Sequence, residues 1–261
     1  MERKKQKKNT KLKKTVNVQD KQTHKQSSVK SCGIGIFPPN ESHEFVQTNV
    51  DVEVLYEGES TIISLNRFLI NKESLAWIQF AENMGFTLAR HKQGNGIAHR
   101  DCGRIEFQSE ETAEAIFNRL KPFVPQTYLS RQGSWELDSC ASNIRIYKYS
   151  QGQRFGRHYD ESTDIDKNRK TFYTVLVYLN GAGGIIDENQ DKASLMTASL
   201  SGGATNFFLE NNQHSPICSQ EPLMNTLLFH EHGDRCLLHE GAQVTNGDKY
   251  LLRTDVVYKI C

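Results

Sequence analysis

From residue 143 to the end, the chain falls into short runs with a period of two, separated by Gly-, Asn- and Asp-rich turns. Asn143–Tyr149 sets Arg145, Tyr147 and Tyr149 on one face and Ile144, Ile146 and Lys148 on the other. Phe172–Leu179 is β-branched and aromatic, as a buried strand requires, and Phe207–Leu209, Thr226–Phe229 and Lys249–Tyr258 add three more. Many short strands with such turns predict a sandwich or jelly roll.

Upstream, Thr61–Ser64 reads as a strand opening the domain. Asn71 is placed to cap a helix over Lys72–Met84 that stops at Gly85. A second helix starts after Ser109 and must end before Pro122, because the residue preceding a proline is pushed out of helical geometry. Both helices are expected to support one face of the sheet, giving a mainly β (α+β) domain.

The first 30 residues contain ten Lys and one Arg, against Glu2 and Asp20, with no aromatic. Such a segment buries too little apolar surface to offset its ordering entropy. The reading is a basic, disordered tail and linker over 1–58, then a domain over 59–261 with its core at 140–260. The tail suits a nuclear address, a nucleic-acid contact or simple solubilisation.

The net charge of +1 says little about partners. No apolar signal segment stands near the N-terminus, and no run approaches the roughly 18 apolar residues of a membrane helix. The expectation is therefore cytoplasmic or nuclear, not secreted and not membrane-bound. The six cysteines are scattered and read as reduced thiols. Cys236 reads as a small apolar filler. The long loop over 181–201 reads either as a lid or as an insertion.

Four residues in the strand-rich half carry chemistry. His158-Tyr159-Asp160 is a His-x-Asp pair, His239 follows 81 positions after His158, and Lys249 follows 10 after that. Two histidines and a carboxylate on a rigid scaffold form a facial triad for iron(II), leaving positions open for other ligands. His158 and Asp160 share a strand face, whereas Tyr159 points away and reads as packing. Lys249 and Arg253 also share a face, roughly 13 Å apart at strand rise, so only one readily meets a given carboxylate. A rival zinc site would draw on His230, His232 and His239.

The segments Gly152–Asp160, Leu237–Gly241, Val244-Thr245 and Gly247–Tyr250 resemble motifs of the iron(II)/2-oxoglutarate-dependent dioxygenases, specifically the prolyl 4-hydroxylase-like branch. Tyr178-Leu179-Asn180 and Gly202–Thr205 fall between them in the family's order. The resemblance covers about residues 140–260. It departs at Ala204, where Glu is common, and at Asn225, where Gly is frequent.

The resemblance implies a double-stranded β-helix with Fe(2+) held by His158, Asp160 and His239. It implies 2-oxoglutarate as co-substrate, O2 as oxidant and L-ascorbate as a possible reductant. Lys249 stands at the family interval for the C5 carboxylate. Arg253 is the rival, or holds the C1 end or an acid such as Asp255. Tyr149 and Tyr178 match positions for a phenol near the co-substrate. The implied activity is hydroxylation of a C–H bond on a protein or peptide side chain such as proline. The alternatives are oxidation of a nucleic acid or small metabolite, or a non-catalytic 2-oxoglutarate-binding module.

Overall fold

The computed structural model describes residues 26–39, 41, 44–91, 94, 98–182 and 200–261. The basic run before residue 26 and most of the 181–201 loop lie outside them.

The chain begins with β1 (Gln26–Ile34), β2 (Phe45–Glu57), β3 (Thr61–Asn66) and α1 (Asn71–Met84). β4 (Thr87–His91), β5 (Arg100–Gln108), α2 (Glu110–Leu120), β6 (Thr127–Ser130) and β7 (Gly133–Cys140) follow. Next come β8 (Asn143–Tyr149), β9 (Phe155–His158), β10 (Arg169–Tyr178), β11 (Ser201–Gly202), β12 (Thr205–Phe208) and β13 (Cys218–Gln220). The chain closes with β14 (Thr226–Glu231), β15 (Leu238–Gly241), β16 (Val244–Asn246) and β17 (Lys249–Ile260).

Two four-stranded antiparallel arrays define the architecture. One runs β14-β10-β17-β8 and the other β13-β12-β15-β9. The strands of the second half cross between the arrays, except that β12 and β13 are paired neighbours in one of them, which is the winding of a jelly roll, or double-stranded β-helix. β5 pairs with both β8 and β9 and so joins the two arrays along one side.

Alternation along each strand separates two cores. Ile144, Ile146, Tyr250, Leu252 and Val256 face the helices and pack with Trp77 and Ile116. Tyr147, Tyr149, Tyr178, Phe207, Leu228 and Leu251 pack between the arrays. The period of two in Asn143–Tyr149 and Lys249–Tyr258 therefore sorts residues as the sequence indicates. No helix among the described residues is long and apolar enough to cross a membrane.

Two expectations need correction. The stretch assigned to a linker before residue 59 contains β1 and β2, and β2 pairs with β3 to extend the main sheet beyond β14. Its buried positions alternate over Val46, Thr48 and Val50, so polar neighbours hid a half-buried strand.

Asn71 is not the helix cap. It is the first residue of α1; Ile70 is the cap, and the Glu73 carboxylate accepts from the Ile70 N–H at 2.8 Å. Glu73 also forms a buried two-pronged ion pair with Arg119 of α2, locking the helices together. α2 follows expectation: the Ser109 hydroxyl accepts from the Thr112 N–H, and the helix ends at Leu120.

Candidate metal and co-substrate site

β9 and β15 are antiparallel neighbours, and their register sets His158 directly opposite His239. Asp160 follows His158 by two residues and turns back toward both rings. His158 Nε2 lies 3.6 Å from Asp160 Oδ1, and His239 Nε2 lies 3.7 Å from Asp160 Oδ2. One ligand atom from each of the three residues falls within 4.8 Å of the others. Tyr159, between the ligands, is exposed, as alternation requires.

Backbone carbonyls orient the rings. His158 Nδ1 contacts Gly156 O at 2.8 Å, and His239 Nδ1 contacts Leu237 O at 2.9 Å. Each Nδ1 therefore donates, and each Nε2 is turned toward the carboxylate, the arrangement that presents imidazole to a metal. Phe155 stacks on the His158 ring at 3.6 Å, and Phe207 on the His239 ring at 5.5 Å.

The carboxylate is equally fixed. Thr174 Oγ1 donates to Asp160 Oδ2 at 2.8 Å, and Arg253 reaches Oδ1 at 3.2 Å and Oδ2 at 3.1 Å. Burial opposes the Asp160 charge, but Arg253 and then His239 hold its pKa well below the usual range. Burial and the neighbouring His239 push His158 down to about 3. Burial also opposes charge on His239, yet the facing Asp160 carboxylate, and then Cys236, raise its pKa to about 10. One carboxylate, one neutral imidazole and one proton-holding imidazole thus share a buried site. A divalent cation would displace that proton and take all three donors. The donor set suits iron(II).

A cavity of about 40 Å³ opens beside the triad, lined by Arg100, Tyr149, Thr205, Lys249 and Arg253 among others. That volume is room for one or two waters, so a dicarboxylate needs side chains to move. The two β17 cations stand at different ends. Arg253 is spent on Asp160, Thr174 and Asp255. Asp255 is shared in turn with Arg145.

Lys249 is almost fully buried and donates to Gly203 O at 2.6 Å, with its ammonium 5.0 Å over the Tyr149 ring. Burial lowers its pKa to about 8. Gly203 sits at φ +77°, and a Cβ there would come within 3.1 Å of Lys249 Cδ, so the Gly-Gly turn makes room for the lysine. Asn225, where the resemblance departs from Gly, holds φ 68° and keeps its turn.

The tyrosines divide. Tyr149 lines the cavity beneath Lys249. Tyr178 is not among the lining residues; its hydroxyl is 2.7 Å from that of Thr205, which is.

Sequence reasoning did not single out Arg100, Thr174 or Thr205. Arg100 comes from β5, and its guanidinium lies 3.8 Å over the Phe155 ring at the cavity wall. Arg100 and Thr174 belong to no spaced motif, and Thr205, though it closes the Gly202–Thr205 segment, is placed at the cavity only by the sheet pairings.

The rival zinc site is not assembled as expected. The His232 ring is held by Thr171 at 2.9 Å and Thr174 at 3.0 Å. Cys236 instead groups with His230 and His239. Its sulfur accepts from the Asp160 N–H at 3.2 Å and lies 3.8 Å from His239 Nδ1, so it is more than an apolar filler.

No protein-family model matches the chain, and no curated protein matches its sequence. Solved structures do. The viral collagen prolyl hydroxylase vCPH from Paramecium Bursaria Chlorella virus-1, in its 2OG complex, is 16% identical with a TM-score of 0.46, covering 76% of this chain and 96% of that one. A Pseudomonas putida prolyl-4-hydroxylase is 15% identical, with a TM-score of 0.45 over 77% and 92% of the two chains. A Trichoplax adhaerens prolyl hydroxylase, in complex with a hypoxia inducible factor oxygen degradation domain peptide fragment, is 17% identical, with a TM-score of 0.47 over 75% and 82%.

Proposed function

We propose that this chain is an iron(II)- and 2-oxoglutarate-dependent dioxygenase of the prolyl 4-hydroxylase-like type, hydroxylating a C–H bond on a protein side chain such as proline. The observation that carries the reading is the convergence of His158, Asp160 and His239 beside a cavity that holds a buried cation, Lys249.

His158, Asp160 and His239 would hold the metal through two imidazole nitrogens and one carboxylate oxygen, the His239 proton leaving as the cation binds. Bound iron, with 2-oxoglutarate and O2, supplies an oxidation that yields succinate, CO2 and a hydroxylated substrate. Arg253 and Thr174 keep the Asp160 carboxylate from rotating. Lys249 receives the distal carboxylate of 2-oxoglutarate in exchange for Gly203 O, and Tyr149 forms the wall beneath it. L-ascorbate would serve as reductant for the metal.

A second opening favours a macromolecular substrate. A groove of about 810 Å³ reaches Asp160 from the surface and is lined by Tyr128, Leu129, Arg131, Tyr159, Lys170 and Arg235 among others. Leu129 and Tyr159 are exposed there. A groove of about 810 Å³ is larger than a free amino acid needs and has room for a short peptide segment.

Purified protein supplied with iron(II), ascorbate and 2-oxoglutarate should form succinate, and more when its substrate is added. Undiminished substrate-coupled turnover in His158→Ala or His239→Ala would overturn the assignment. Proteomes compared with and without the protein should differ by a lost +16 Da modification on its target.

A further inference from the structure

His230 and Cys236, which the proposed reaction does not use, form with His239 a second group of side chains that could hold a metal. One ligand atom of each lies within 4.8 Å of the others, and all three residues are buried. His230 stands on β14 opposite Thr174 of β10, facing the interior. Its Nδ1 contacts Glu231 O at 3.1 Å, which leaves Nε2 with the free lone pair. That Nε2 is fully buried and has no hydrogen-bond partner. A buried polar atom without a partner is destabilising, so it calls for an explanation.

The other two members are already close to ligand spacing. Cys236 Sγ is 3.8 Å from His239 Nδ1. Two ligands of a tetrahedral zinc, one sulfur and one nitrogen, stand about 3.6 Å apart by the usual bond lengths. The His230 and His239 rings lie 4.7 Å apart between centroids.

We propose that His230, Cys236 and His239 form a site for a thiophilic divalent cation such as zinc, alternative to the His158–Asp160–His239 triad. A thiolate with two imidazoles selects zinc or cobalt, whereas two imidazoles with a carboxylate suit iron(II). The two sets share His239 and exclude one another. Nε2 is the donor the triad uses. Coordination through Nδ1 would displace Leu237 O and leave the remaining ring proton on Nε2, removing the lone pair iron needs. The site itself does not depend on the proposed reaction; only the consequence, that zinc silences the iron centre, rests on that reading.

Cobalt(II) is the probe, because thiolate ligation gives an intense near-ultraviolet charge-transfer absorption that imidazole and carboxylate do not. Metal-free, reduced His158→Ala protein, whose triad is broken, should develop this absorption to one equivalent of cobalt, and zinc should abolish it. Adding Cys236→Ser should remove the absorption, the serine hydroxyl still accepting from the Asp160 N–H. Adding His230→Gln should weaken cobalt binding at least tenfold. Absence of the band in both the wild type and His158→Ala would overturn the proposal, as would its survival with Cys236→Ser. Should the serine variant not fold, unchanged cobalt affinity with His230→Gln overturns it equally. None of these readings involves turnover, so they stand apart from the test of the dioxygenase activity.

Discussion

Two buried carboxylate–guanidinium pairs sit in this molecule, and they are built for different ends. Glu73 is saturated. Its Oε1 accepts from the Ile36 N–H at 2.5 Å and Arg119 at 2.7 Å, and its Oε2 from the Ile70 N–H at 2.8 Å and Arg119 at 2.9 Å. Arg119 spends its remaining reach on Phe68 O and Ile34 O. Asp160 also has an arginine, but its carboxylate faces two histidine nitrogens at 3.6 and 3.7 Å, beyond hydrogen-bond distance. Arg253 leaves its own Nε without a partner. A pair whose carboxylate oxygens are both doubly matched holds elements together. A pair left open toward two imidazoles has donors free for a cation.

The largest effect that separates them is on stability. Arg119→Ala leaves the Glu73 charge buried and should cost about 3–5 kcal/mol of unfolding free energy. Asp160→Ala, in metal-free protein, should cost clearly less, because Asp255 still accompanies Arg253. Denaturant titration of both variants measures this. Equal losses would erase the distinction between the two pairs.

Next comes the division of labour along β17. Lys249→Ala should weaken 2-oxoglutarate binding roughly ten- to over a hundredfold, the worth of a charge-assisted hydrogen bond of about 1.5–3 kcal/mol. Its metal affinity should hold. Arg253→Ala should do the reverse, lowering metal affinity by about 10- to 100-fold, as loss of a group that orients a ligand does. Calorimetric titration of metal and then of 2-oxoglutarate into each variant decides it. A normal 2-oxoglutarate affinity in Lys249→Ala beside a collapsed one in Arg253→Ala would reverse the roles.

The smallest effect is a pH dependence. The pKa of Lys249 is lowered from 10.5 to about 8, burial being the cause. A carboxylate partner raises it again, so 2-oxoglutarate affinity should be level below pH 8. Above that it should fall by up to about tenfold per pH unit as binding comes to require proton uptake. The unliganded fold should behave oppositely. The unfolded chain keeps this proton to higher pH, so the Lys249 contribution makes stability rise between about pH 8 and 10.5. Lys249→Met should flatten both trends; trends that persist in it would belong to another group.

The parts legible in the sequence were those that depend on local period or close spacing. Alternation gave the two faces of β8 and β17, and the Ser109 cap with Pro122 gave the ends of α2. The convergence of His158, Asp160 and His239 was legible because motifs flank each of these residues. What was missed depends on pairing between distant segments. β2 looked like linker until β3 paired with it. Asn71 looked like the cap because helical signals are local, whereas Glu73 is fixed by Arg119, 46 residues on. Arg253 meets Asp160 across 93 residues, and no spacing rule links them. Cys236 was undervalued because its neighbours in the chain say nothing of the Asp160 N–H that its sulfur accepts.

The central claim is that His158, Asp160 and His239 hold iron(II) with positions left for 2-oxoglutarate. Its most direct test is anaerobic addition of 2-oxoglutarate to iron(II)-loaded protein, followed by visible absorption. Chelation through the keto and carboxylate oxygens produces a metal-to-ligand charge-transfer band. The wild type should show the band at one equivalent of iron, and His158→Ala and His239→Ala should lack it. A wild type with no band, or alanine variants that keep it undiminished, would contradict the account.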